Sequence, residues 1–274
     1  MTNRRLPFRY TYDMDSSALE VAAKRGHERH IAAADTEVTR LLTAAHDADL
    51  PAPVPGCPGW TIADLLKHVG GTHRWVDTIV GQRRTSVVRF RDLVLDRPDD
   101  PAEYIDWVAR GAQRLWTTLR AAHPDAPVWA WGADQHVRFW SRRMWHEALV
   151  HRLDAQRAVG ETLDLAPADG LDCIDEFLTN LPHAPQPSRR LPELAGAGQT
   201  IHLHATDAAG EWLLTLQPNE FAWQRGHAKG DVAVRGKLLD LVLLVYGRIA
   251  PTDGRYERFG DSAPLERWLA AAKF

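Results

Sequence analysis

The hydrophobic period of this 274-residue chain changes once, and that change restricts the fold class more than any single motif. Up to about residue 181 apolar residues recur at helical spacing, and after about residue 193 they alternate. Thr200-Ile-His-Leu-His-Ala205 has period two, Asp207-Ala-Ala-Gly210 reads as a turn, and Glu211 to Gln217 reads as the returning strand of a hairpin. Phe221 to Arg225 and Asp231 to Arg235 read as further strands, Leu238 to Tyr246 and Leu265 to Ala272 as helices. Between the two regimes, Pro182 to Pro192 is rich in Pro, Ser and Arg and reads as a linker. Helices first and a small mixed unit second predict an α+β chain. The expected divisions are an N-terminal extension over 1–30, a helical bundle over 31–181 and a C-terminal α+β domain over 193–274.

Ahead of the bundle, residues 1–30 read as an irregular arm or a loosely attached first helix; within it, Asp35 to His46 reads as a short helical period through Val38, Leu41 and Leu42. Pro51-Ala-Pro-Val-Pro-Gly-Cys-Pro-Gly59 cannot be helical and reads as an extended crossing ended by a turn. Thr61 with Asp64 three residues later reads as a capping box, starting a helix that runs to about Arg84. Asp100-Pro101 opens the next helix, with Ile105, Val108, Leu115, Trp116 and Leu119 on its apolar face. Val137 to Val159 is a fourth, stopped by Gly160, and Pro167 to Asn180 is a shorter fifth.

Composition excludes several classes. A net charge of −3 gives no electrostatic reason for a nucleic-acid partner. No run of 18 apolar residues exists to span a membrane. Met1 to His30 has no apolar leader core, and two cysteines, Cys57 and Cys173, make no disulfide framework, so a cytoplasmic location is expected. Arg outnumbers Lys 28 to 5, the usage of a GC-rich genome.

One set of side chains suits a metal. Glu147 and His151 are four apart, so they lie about 40° apart around a helix and one turn along it. His146 is five from His151, about 140° away, and cannot share an ion with it, so Trp-His-Glu-Ala-Leu-Val-His is not the two-histidine protease motif. His68, two turns into the capped helix, supplies a third donor from another element. Two imidazoles and a carboxylate leave zinc one open position, the catalytic pattern. Thirteen histidines make such a spacing easy to meet by chance. The plainer reading is a Glu147–His151 ion pair with His68 packed against Trp75.

Three ordered motifs carry a family resemblance. Val54-Pro-Gly-Cys-Pro-Gly-Trp-Thr-Ile-Ala-Asp-Leu-Leu-Lys-His-Val-Gly70 resembles the opening of the mycothiol-dependent maleylpyruvate isomerase family. So do Arg142-Arg-Met-Trp-His-Glu-Ala-Leu-Val-His-Arg-Leu-Asp-Ala155 and Ile201-His-Leu-His-Ala-Thr-Asp, continued by Gly226-His-Ala-Lys-Gly-Asp-Val-Ala-Val-Arg-Gly236. The resemblance covers the chain from about residue 31 onward. It implies a DinB-like four-helix bundle followed by a small α+β domain related to sterol-carrier modules. It also implies zinc on His68, Glu147 and His151, and mycothiol, an actinobacterial thiol, as cofactor. The implied enzyme ionises the thiol on zinc for addition to an electrophilic small molecule, as a maleylpyruvate-type cis/trans isomerase or a thiol S-transferase. The alternatives are a thiol-independent metal hydrolase and a non-catalytic binding module.

Other residues carry weaker signals. Trp223-Gln-Arg-Gly-His227 joins two strands, and Arg225 in it is the expected active-site arginine, facing an anionic substrate group, with Arg235 a rival by position. A solvated hairpin arginine is the plain alternative. Cys57 reads as a packed structural thiol rather than a nucleophile, and Cys173 as core. His202 and His204 share one side of a strand and suit a metal, but no third ligand is evident in the sequence. Eight tryptophans precede residue 150; they read as core, with Trp75, Trp140 and Trp145 near enough to line the mouth of the metal site. Asp154, three residues beyond His151, is placed to orient a ligand or to sit as a solvated charge.

Overall fold

The computed structural model describes residues 16–273 of the chain. Of the expected N-terminal extension, residues 1–15 lie outside the described residues. The rest of it is not an arm. Helix α1 runs unbroken over Ser16–His46, because Ile31, Ala34, Val38, Leu41 and Ala45 keep a three-and-four spacing that buries one face against α4 (Val137–Ala158). His27 is also buried, its ring nitrogens 2.9 Å from the Ser141 hydroxyl and from the Leu119 carbonyl.

The proline-rich crossing turns back on itself. The Val54 amide bonds the Trp60 carbonyl at 2.9 Å, and Gly59 takes φ 84°, a left-handed conformation that favours glycine. Helix α2 (Ile62–Gly81) then starts on the capping box: the Asp64 amide bonds the Thr61 hydroxyl and the Thr61 amide bonds the Asp64 carboxylate, both at 3.2 Å. Helix α3 (Tyr104–Ala121) follows one 3₁₀ turn, Pro101–Glu103, capped by Asp100. α2 and α3 approach closely at Gly70: a Cβ there would lie 2.1 Å from the Trp107 ring. The four helices form a bundle with one continuous core.

Helix α5 (Pro167–Asn180) joins the bundle to the second unit. Buried Arg143 of α4 ties it down through a 2.7 Å bond to Glu176. The expected linker is structured. It forms a 3₁₀ turn over Leu181–His183, a short α6 (Pro187–Arg190) and a 3₁₀ turn over Leu191–Leu194. Leu181, Leu191 and Leu194 are buried in the second core and Ala184 is also buried, which explains why a stretch polar on average still packs.

The C-terminal unit is a five-stranded sheet in the order β3-β2-β1-β4-β5. Strands β1 (Thr200–Ala205), β2 (Glu211–Leu216) and β3 (Phe221–Arg225) form an antiparallel meander, and β4 (Val232–Gly236) returns parallel to β1 on its far side. Helix α7 (Leu238–Val245) precedes an unforeseen β5 (Tyr256–Gly260), and α8 (Ala263–Ala271) closes the chain. Alternate residues Ile201 and Leu203 of β1 enter the core against α7 and α8. The architecture is therefore α+β, a helical bundle followed by a small mixed domain.

Candidate metal centre

Helix geometry and the α2–α4 contact bring three predicted residues together. The ligand-type atoms of His68, Glu147 and His151 all lie within 4.8 Å of one another. Glu147 Oε1 is 2.8 Å from His68 Nε2 and 3.3 Å from His151 Nε2. The other carboxylate oxygen, Oε2, accepts from Arg143 at 3.2 Å, so Oε1 is the one aimed at the imidazoles. The His68 side chain is 36% exposed and that of His151 8%, so the cluster opens to solvent on the α2 side.

The His151 ring is held from behind. Its Nδ1 lies 3.0 Å from Asp154 Oδ2, and Asp154 is fully buried. With Nδ1 donating to Asp154, Nε2 is the nitrogen that faces Glu147, donating to it when the ring is charged and free to ligate an ion when it is neutral. Asp154 in turn accepts a fork from Arg248, at 3.0 Å from Nε to Oδ1 and 2.9 Å from Nη2 to Oδ2. Arg248 follows α7, so a C-terminal residue supports a bundle histidine. A Cβ at Gly56 would lie 2.7 Å from Asp154 Oδ1 and 3.0 Å from Arg248 Cγ, which gives the glycine in the crossing a steric reason.

The charges follow from these contacts. Burial opposes ionisation of Glu147, but hydrogen bonds from His151 and His68 and the Arg143 charge hold its carboxyl well below the usual range. Burial likewise opposes charge on His151, yet Asp154 and Glu147 outweigh it and raise the imidazole. Asp154 is kept at about 2: burial pushes it up, and His151 and Arg248 more than reverse that. Cys57 donates to Asp154 at 3.4 Å, and burial plus the neighbouring carboxylate push its thiol up to about 12. That is the environment of an inert packed thiol.

The remaining predicted residues lie elsewhere. Arg225, at the end of β3, donates to Asp175 of α5 from Nε at 2.9 Å and from Nη2 at 2.8 Å, and lies over the Trp212 ring at 4.9 Å. Among its described contacts none reaches the trio. Arg235 is exposed, with Glu257 at 3.9 Å. His146 is fully buried beside Trp145 and Asp172, away from His151. The aromatic on the cluster is Trp60, its ring centroid 5.0 Å from that of His68 and 6.2 Å from that of His151. Trp75 and Trp140 pack together with Trp129, and Trp145 stacks on His30 and His146. Neither Trp60 nor Arg248 was singled out from sequence. Trp60 stood beside the helix cap, a usable signal, whereas Arg248 follows an apolar helix with nothing to mark it.

A helical bundle holding two imidazoles and a carboxylate between α2 and α4, with an α+β unit behind it, defines the class. The chain belongs to the mycothiol maleylpyruvate isomerase family. The model of the mycothiol maleylpyruvate isomerase N-terminal domain, a DinB-like helical fold, matches residues 31–156, and that of the MDMPI C-terminal domain matches residues 164–267. No curated protein matches the chain. Among solved structures it is similar to a UbiJ-SCP2 ubiquinone synthesis protein, at 15% identity and a TM-score of 0.29 over 39% of this chain and 87% of that one. It is also similar to the stereoselective inverting sec-alkylsulfatase Pisa1 from Pseudomonas sp., at 15% identity and a TM-score of 0.30 over 83% of this chain. The chain spans about a third of the alkylsulfatase's length (33%), and likeness this low carries no argument. Membership of the family supports a mycothiol-dependent, isomerase-like function. Among the described residues no helix is long and apolar enough to cross a membrane.

Proposed function

We propose that the chain is a zinc-dependent enzyme that ionises mycothiol for addition to a small electrophile, with isomerisation of a maleylpyruvate-type cis double bond as the leading reaction. The observation that carries this is the meeting of His68, Glu147 and His151 around Glu147 Oε1, with His151 oriented by Asp154. The donor set fits the ion. Neighbouring ligands on tetrahedral zinc are about 3.3 Å apart, from bond lengths near 2 Å. The His151–Glu147 separation of 3.3 Å meets that, and the His68–Glu147 separation of 2.8 Å needs only a small opening. Metal-ligating histidines characteristically give their second nitrogen to a carboxylate, as His151 does.

A bound divalent ion would lower the thiol's pKa from about 8.5, making the nucleophile available at neutral pH. Around it, Arg143 holds Glu147 ionised, Asp154 fixes the His151 tautomer, and Trp60 excludes water from one wall. The thiolate sulfur forms a bond to one alkene carbon while the π pair moves onto the conjugated carbonyl. Rotation about the new single bond follows. Return of that electron pair re-forms the double bond as trans and expels the thiolate. An S-transferase differs only in that the adduct is protonated and kept. The Arg-rich composition agrees with an actinobacterial host, and the free thiols of Cys57 and Cys173 with a reducing cytoplasm.

Metal analysis and product analysis test the proposal together. Purified protein should lose one equivalent of zinc on His151→Ala, and mycothiol with cis-enedioates should give the trans isomer with the thiol recovered. A stable adduct by mass would assign the transferase, and turnover indifferent to thiol would assign a metal hydrolase instead. Zinc bound in full by a His68→Ala, Glu147→Ala and His151→Ala variant of the sheet-site double variant described below would remove the basis of all three.

A further inference from the structure

The C-terminal sheet carries a second group of metal-type donors, unrelated to the bundle trio. Alternation along β1 puts His202 and His204 on the face opposite Ile201 and Leu203. The β1–β2 register sets Glu211 directly opposite His204. Beyond β3 the chain turns at Gly226, where φ is 137° and the amide bonds the Glu211 carbonyl at 3.1 Å. That turn delivers His227 back onto β2. The third and fourth donors therefore come from a neighbouring strand and a loop, which is why the histidine pair looked incomplete in sequence.

The four side chains close on one point. Glu211 Oε2 is 3.0 Å from His202 Nε2 and 2.6 Å from His227 Nδ1, and Oε1 is 3.4 Å from His204 Nδ1. All four ligand-type atoms lie within 4.8 Å of one another. The imidazole centroids are 5.5 to 6.4 Å apart, and among the described residues no Lys or Arg side chain lies within ion-pair distance of Glu211. Three imidazoles facing one carboxylate, without a competing cation, is the donor chemistry of a first-row transition dication; magnesium and calcium take oxygen donors instead.

We infer that His202, His204, Glu211 and His227 form a second, structural binding site for a divalent transition-metal ion, zinc above all. Four protein donors complete a tetrahedron and leave no position for substrate, in contrast to the three-donor trio. The ion ties β1, β2 and the turn after β3 together. That turn is next to Arg225, which clamps Asp175 of α5, so the ion would steady the end of β3 that is tied to α5.

Zinc titration of EDTA-stripped full-length protein, read by calorimetry and by metal analysis after desalting, tests the site apart from the bundle. A His68→Ala/His151→Ala variant should still take up one equivalent and gain melting temperature with zinc. Adding His204→Ala and His227→Ala, both at least partly exposed positions, should abolish uptake. In the unaltered bundle background, the His204→Ala/His227→Ala pair should bind one equivalent fewer than the parent, which keeps the test valid if the bundle variant misfolds. Parental stoichiometry in that pair, no uptake by the bundle variant when it is folded, or one equivalent retained by the four-substitution protein would each overturn the inference.

Discussion

Replacing Asp154 with Asn separates metal positioning from fold stability at one residue. The carboxylate is fully buried, lies 3.0 Å from His151 Nδ1, and accepts the Arg248 fork. An amide keeps one acceptor oxygen but loses the charge and turns an NH2 toward a guanidinium. Losing a carboxylate behind a ligating histidine typically costs 10- to 100-fold in metal affinity, about 1.4 to 2.7 kcal/mol. Separately, the Arg248 side chain is only 15% exposed and is left without its counter-charge, a loss of about 3 kcal/mol in the metal-stripped protein. A second substitution, Arg248→Met, removes the stranded charge. The double variant should regain most of the stability by urea unfolding while its zinc affinity, measured against a competing chelator, stays low. If Asp154→Asn binds zinc as tightly as the parent, or if Arg248→Met restores affinity along with stability, Asp154 does not orient His151.

Two further outcomes follow from other contacts. Burial holds the His73 imidazole at about 4 instead of 6.5, so between these values the unfolded chain binds a proton that the folded chain refuses. Its contribution is fully present above pH 6.5 and is lost as pH falls toward 4, by about 3 kcal/mol; His73→Gln should flatten urea-unfolding stability over that window, and an unaltered pH slope would refute the assignment. For Arg225, the bonds to Asp175 point to a clamp between β3 and α5 more than to the substrate contact expected from sequence. Both side chains are partly exposed, so Arg225→Ala should cost up to about 1 kcal/mol and change kcat/KM less than twofold, while a tenfold fall would restore the catalytic role.

Local rules carried much of this. The Thr61–Asp64 box, Gly160 as a stop and the spacing of Glu147 and His151 depend on a single helix, and a helix is legible within one turn of sequence. The β1–β2 hairpin was legible because its turn and its alternation are adjacent. What escaped depends on distant partners. Residues 20–30 look polar, and the anchor among them is distant in sequence: His27 is buried between Ser141 of α4 and the Leu119 carbonyl of α3. β5 is short and mostly exposed, and its pairing with β4 is what makes it a strand. Trp60 meets His68 and His151, and Arg248 meets Asp154, only after the bundle and the C-terminal unit have docked. The pairing of Arg225 with Asp175 was hidden for the same reason.

The Asp154–Arg248 fork also bears on how this chain can be divided. The two family models meet between residues 156 and 164, so a cut there would deliver all three trio residues on one fragment. That fragment would possess every donor and lack the counter-charge to the buried acid behind one of them. Its second half would carry an arginine with no acid to grip. The seam between the two family models is therefore not a seam in the chemistry. Grafting the bundle onto a different C-terminal unit would need a guanidinium returned to the same place before the transplanted histidine regained its orientation.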